Sequence, residues 1–209
     1  MTVREKKKER TRQQILEAAW RLFNKQGFAK TTVDQIAEQA EVGTGTVYNY
    51  FPSKEHVLAA RFTEIGRDAI ETFLRLDRPT KASDAISLLF DTLFPTLMAD
   101  QNLLREVWSV FLLPRGKAHV GLDHGAATQL EDLDWQVIGI IASILEEARE
   151  RGQLKGDFDA NLAAMTIYSV FIFSLIGYLI DIYQDFKTIR SITNDAVRLI
   201  FNGLKGDTK

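Results

Sequence analysis

Tyr48, Asn49 and Tyr50 stand side by side, with Thr44, Gly45 and Thr46 just before them and Phe51 and Pro52 just after. An asparagine can make paired hydrogen bonds to adenine, and a threonine methyl or a ring edge can touch a thymine methyl. Phenolic hydroxyls such as those of Tyr48 and Tyr50 can bond phosphate oxygens, which fixes position without reading sequence. Wound as a two-turn helix, residues 44–51 put Val47 and Phe51 on one face. The opposite face then carries Gly45 and Asn49, flanked by Thr46 and Tyr48. It holds hydroxyls, an amide, a ring and a gap, with no long aliphatic side chain. Such a face suits the floor of a DNA major groove, and Gly45 leaves room where helix and duplex come closest. Filling a small core is reason enough for Val47 and Phe51, but not for Tyr48 and Asn49 on the other side.

A helix this short needs neighbours to aim it. Ile15, Ala18, Ala19, Leu22 and Phe23 share one helical face, and Gly27 follows as a C-terminal cap. Thr31 and Thr32 are N-cap candidates for a second short helix, whose Val33, Ile36, Ala37 and Ala40 again share a face. Two short helices joined by a tight turn make a helix-turn-helix unit, the second helix reading the groove. Ser53 is a natural N-cap for the next helix, and Lys54 adds a charge at its start. The opening run REKKKERTRQQ has no apolar stripe and is expected to be frayed.

Beyond Pro79 the chain keeps a helical period. Ala82 to Leu93 form one helix, which Pro95 is expected to bend or end. A segment around Leu104, Trp108, Phe111 and Leu112 stops at Pro114. Residues 117–129 read as a loop, and Val137 to Ala148 as a helix ending near Gly152. A long apolar helix from about Asp159 to Asp185 and a last one from about Thr188 to Leu204 follow. No strand alternation or internal repeat is found, so the chain is expected to be all-α, with about nine helices.

Composition narrows the function. The 209 residues carry a net charge of −2, but residues 1–62 hold 11 basic against 7 acidic side chains and the remainder 15 against 21. A basic front on an acidic body suits a polyanionic partner. There is no cysteine, so disulfides and thiolate metal sites are excluded. The charged N-terminus lacks a signal core, and a cytoplasmic location is expected. No G-x-S-x-G elbow, P-loop, H-E-x-x-H or dinucleotide fingerprint is present, so an enzyme is not expected. His119, Asp123 and His124 lie close together and could hold a metal, but in a glycine-rich loop they read as solvated residues, and neither metal nor cofactor is expected.

The run TTVDQIAEQAEVGTGTVYNYFPSKEHVLAA, Thr31 to Ala60, resembles the DNA-binding domain of the TetR family of bacterial transcriptional regulators. The likeness covers about Arg12 to Ala60; the remainder matches only in length and helical character. It implies phosphate contacts from Thr32, Tyr50 and Lys54, and groove contacts from Thr44, Thr46, Tyr48 and Asn49. Glu41 departs from the glycine common in the turn, Thr44 from a common basic residue, and Asn49 from a common histidine or arginine. The implied organisation is a DNA-binding domain over 1–52, with a basic arm over 1–12, and an effector and dimerisation domain over 53–209. The implied function is a dimeric regulator of a palindromic double-stranded operator, a repressor released by a small molecule, with activation as the alternative.

Two features of the second section refine that expectation. Ala160 to Ile180 is free of charge and long enough to span a bilayer, but its flanks are acidic and lack a basic anchor. A membrane-associated adaptor is therefore the rival reading, and burial against a second copy is preferred; the resemblance likewise puts the last two helices at a dimer interface. Phe90, Phe94, Trp108, Phe111, Trp135, Tyr168 and Phe171, with the hydroxyls of Thr166, Tyr168 and Ser169, are the expected lining of a largely apolar effector pocket.

Overall fold

The computed structural model describes residues 2–112, 124–154, 157–183 and 185–204, without the side chains of 111, 112, 124–129 and 204. Among the described residues there are nine α-helices and no strand: α1 (Val3–Gln26), α2 (Val33–Gln39), α3 (Thr44–Tyr50), α4 (Lys54–Arg75), α5 (Ala82–Met98), α6 (Gln101–Val107), α7 (His124–Glu150), α8 (Ala160–Leu179) and α9 (Phe186–Leu204). A π-helical turn, Trp108–Leu112, continues α6.

The described residues fall into two compact units, one within Met1–Ile65 and Asp100–Glu131, the other within Gly66–Ala99 and Asp132–Lys209. Packing draws this division; the boundary expected at residue 52 is drawn by role instead.

The first unit is built around α1. Ile15, Leu16, Ala18, Ala19 and Phe23 are buried there with Ile36, Ala37, Val47 and Phe51, and with Leu103 and Val107 of α6. Gly27 ends α1 at φ 83°, a conformation that only glycine adopts freely, and its N–H bonds the Phe23 carbonyl. Thr32 caps α2, its side chain accepting from the Gln35 N–H while Gln35 accepts from the Thr32 N–H. The turn into α3 passes through Glu41 at φ 54°. The Glu41 and Val42 N–H groups bond the Glu38 and Ala37 carbonyls, so a glutamate occupies the left-handed position where such a helix end favours glycine.

The second unit packs α8 against α9, and α9 against α5. Ala164, Ile167, Phe171, Ser174 and Leu175 of α8 are buried, as are Ile189, Thr193, Val197 and Phe201 of α9. The Thr193 hydroxyl donates to the Ser174 hydroxyl at 2.9 Å, which satisfies two polar groups inside an otherwise apolar contact. By length and composition α8 is apolar enough to cross a membrane. One of its faces, however, is the inner side of this packed unit.

Four expectations about the elements need correction. The opening run is helical from Val3, because Thr2 and Glu5 form a reciprocal capping box that satisfies the first amides. Of the two effects expected of Pro95, ending the helix is excluded, because α5 continues to Met98. The expected loop reaching Gln129 is helical from His124 onwards. The last two helices divide earlier than expected: α8 ends at Leu179, where Asp181 takes a left-handed turn at φ 60°, and α9 begins at Phe186.

Candidate nucleic-acid interface

Helix α3 is held by its buried side. Val47 is fully buried and Phe51, at the C-cap, nearly so, both in the cluster with Ile36 and Ala37. Arg12 adds an anchor: its guanidinium lies 5.6 Å from the Phe51 ring centre and pairs with Glu64 of α4. The other side of α3 is open. Tyr48 is 52 % exposed, Asn49 and Gly45 are exposed, and Thr44, Thr46 and Tyr50 are half-buried. A methyl group added at Gly45 would meet nothing within 4 Å. Close packing inside the protein therefore does not demand glycine at this position.

The remaining expected contacts divide. Thr32 is exposed at the start of α2, although its hydroxyl oxygen already serves the cap. The Thr44 hydroxyl donates to Asp34 at 2.8 Å, tying the first turn of α3 to α2. The Lys54 ammonium turns inward. It donates to the Phe28 carbonyl at 3.0 Å and the Thr31 carbonyl at 3.2 Å, and lies 4.3 Å from the Phe28 ring centre. Asp34 was not legible as a partner, because nothing in the spacing of an acid ten residues upstream links it to Thr44.

The expected effector residues are only partly brought together. Phe171 stacks on Phe90 at 4.7 Å and meets Phe94 at 4.5 Å, and Tyr168 stacks on Phe171 at 5.9 Å. Phe186, which the sequence reading missed, joins through Phe94. The Tyr168 hydroxyl donates to Asp134, a second missed residue. Burial, reinforced by the neighbouring Asp134 carboxylate, pushes the Tyr168 phenol well above its ordinary value. Trp135, by contrast, is 58 % exposed. Thr166 and Ser169 are exposed too, and their hydroxyls donate to the Leu162 and Met165 carbonyls of their own helix. Trp108 is buried but belongs to the first unit. The Phe111 side chain, with His119, Asp123 and the His124 side chain, lies outside the described residues.

Comparison with known proteins adds to this geometry. The family model described as bacterial regulatory proteins, tetR family, matches residues 15–60. A curated relative, the HTH-type transcriptional repressor NicS of Pseudomonas putida, is 28% identical over 178 residues, covering 80% of this chain and 77% of its own. The fatty acid metabolism regulator protein of Bacillus subtilis is 25% identical over 195 residues, covering 91% and 94%. Among solved structures, the FadR repressor of Thermus thermophilus in complex with lauroyl-CoA superposes with a TM-score of 0.68 at 23% identity, covering 95% of this chain and 97% of that one.

Proposed function

We propose that this chain, which belongs to the TetR family of bacterial regulatory proteins, is a transcriptional repressor that binds a palindromic DNA operator as a dimer and is released by a small effector. The observation that carries the reading is the two-sided α3: Val47 and Phe51 are sunk in the core, while Tyr48, Asn49 and Gly45 are open to solvent. Asn49 and Tyr48, with the methyl groups of Thr44 and Thr46, read base edges in the major groove. Thr32 and Tyr50 lie against phosphate. Residues 1–52 carry the DNA-reading role, and 53–209 carry effector binding and dimerisation. The work of such a protein is done without catalysis, in the cytoplasm where the operator is.

The effector is largely apolar. Phe90, Phe94 and Phe171 are buried against one another with Tyr168 stacked on Phe171, an aromatic core that would part to admit an effector, whereas Arg75, Arg78, Lys81, Arg149, Arg151, Arg190 and Arg198 all engage acidic neighbours in surface pairs. An aromatic compound, a lipophilic drug or an acyl chain fits that chemistry, and the Thermus thermophilus relative was crystallised with lauroyl-CoA.

Selection from random duplex DNA tests the reading. A palindromic site should emerge, and apolar compounds that raise the melting temperature should release the protein from it. Recovery of unrelated sequences would overturn DNA reading; hits confined to sugars, nucleotides or metal ions would overturn the apolar effector.

A further inference from the structure

The peptide groups that lead into α2 are gripped from two sides by charged side chains. The Phe28 N–H donates to the Glu106 carboxylate of α6 at 3.3 Å. The Phe28 and Thr31 carbonyls accept from the Lys54 ammonium of α4, whose charge also faces the Phe28 ring. Phe28 is itself buried, its ring 5.3 Å from that of Phe23. Helix α6 is fixed in place for this: Asp100 caps its first turn through the Leu103 N–H and accepts from Asn24 of α1, while Leu103 and Val107 sit in the core of the first unit. The gripped segment ends at Thr32, the residue from which α2 starts, and α2 carries α3.

We propose that Glu106 and Lys54 are positioning residues of the DNA reader, acting through the Phe28 peptide to set where α2 begins and hence how α3 is presented. The role rests on the DNA-binding reading above. It extends the reader to α6, well past the stretch that the family model matches, and it gives Lys54 a task other than contacting phosphate. The chemistry supports both assignments. A carboxylate accepting an N–H, and an ammonium donating to two carbonyls, are charge-assisted bonds, stronger than neutral ones and costly to leave half-made. An ammonium held by two carbonyls and a ring face is also drawn away from solvent, where a phosphate would have to meet it.

Simple electrostatics and positioning predict opposite results, which makes the test sharp. Removing an acid from a DNA-binding unit should tighten DNA binding if only long-range charge matters. Positioning predicts that Glu106→Ala weakens binding to the selected duplex by about tenfold. Glu106→Gln, which keeps an acceptor oxygen, should remain close to the parent. For Lys54→Met, positioning predicts weaker binding with the parent's salt dependence. A lost phosphate contact would instead lower the slope of log affinity against log salt by about 0.9 per contact. Hydrogen exchange read by NMR on the full chain gives a signal independent of DNA: the Phe28 amide should be protected in the parent and faster in Glu106→Ala. Unchanged or tighter binding by a folded Glu106→Ala, or a reduced slope for Lys54→Met, overturns the proposal. Should Glu106→Ala fail to fold, a parent Phe28 amide exchanging as fast as an open loop overturns it, and a protected one together with the Lys54→Met slope sustains it. If the parent selects no DNA sequence at all, the DNA-binding reading falls and the positioning role falls with it.

Discussion

Asn49 and Gly45 sit four residues apart on the open side of α3, and each yields a different kind of evidence. Asn49→Ala removes an exposed side chain. Its effect should therefore fall on recognition: about 1–3 kcal/mol of specific binding, with relaxed preference at one base pair per half-site. Competition assays over single-base variants of the selected site would read this, and equal losses on operator and random DNA would leave only a phosphate contact. Gly45→Ala should separate stability from function. The space around Gly45 is empty, and alanine is favoured over glycine in a helix by roughly 0.5–1 kcal/mol, so the melting temperature should hold or rise. If the proposed groove reading holds, operator affinity should nonetheless fall, because the added methyl group would stand where the duplex approaches. Glu41 offers the converse case. At φ 54° it occupies a position that costs ordinary residues about 1 kcal/mol or more, so Glu41→Gly should not destabilise the fold, whereas the β-branched Glu41→Val should. Denaturant midpoints measure both.

At the scale of elements, helices were legible wherever their apolar residues repeat with a helical period, and ends were legible wherever a residue type decides them. Gly27 and Thr32 do what glycine and threonine do at helix ends. What escaped the sequence depends on contacts between distant residues. The helical start of the arm follows from a two-residue cap that charge counting hides. Lys54 reads as a DNA-facing cation until the Phe28 and Thr31 carbonyls, over twenty residues upstream, are seen to hold it. The aromatic list drawn from composition could not distinguish the buried Phe171 from the exposed Trp135, because both sit in helical apolar patterns. Tyr168 and Asp134 join α8 to α7, and that pair has a measurable signature. The folded-state pKa of the phenol is raised, so the folded chain retains a proton that the unfolded chain releases near pH 10. The stability linked to this group is fully present below about pH 10 and is lost as pH rises further, by up to about 1.4 kcal/mol per pH unit. Melting temperatures between pH 8 and 11 should show the decline in the parent and a shallower one in Tyr168→Phe. Parallel curves would mean that the Tyr168 proton does not contribute.

Helices α8 and α9 leave an apolar face uncovered. Leu162, Met165, Phe173 and Ile180 of the α8 region, with Ile192 and Leu199 of α9, are exposed, Phe173 by 62 % and Leu199 by 73 %. Apolar side chains gathered on one pair of helices are a surface that water penalises and a partner can cover. A second copy is the partner that makes sense of the function, because two readers fixed in one body bind a palindrome with the second contact already at high local concentration. Recognition helices about 34–36 Å apart, one turn of DNA, would meet successive major grooves on one face. Phe173→Lys tests this without endangering the protomer, whose own core does not use that side chain. In a dimer interface, however, the lysine would bury an unpaired charge, which is very costly. Sedimentation should therefore show a dimer for the parent at micromolar concentration and a folded monomer for Phe173→Lys. The monomer should bind a half-site about as well as a full palindrome, having lost the gain from linkage. A parent chain that sediments as a folded monomer, or a Phe173→Lys variant that keeps both the dimer and its preference for the palindrome, would show that this apolar face has another use.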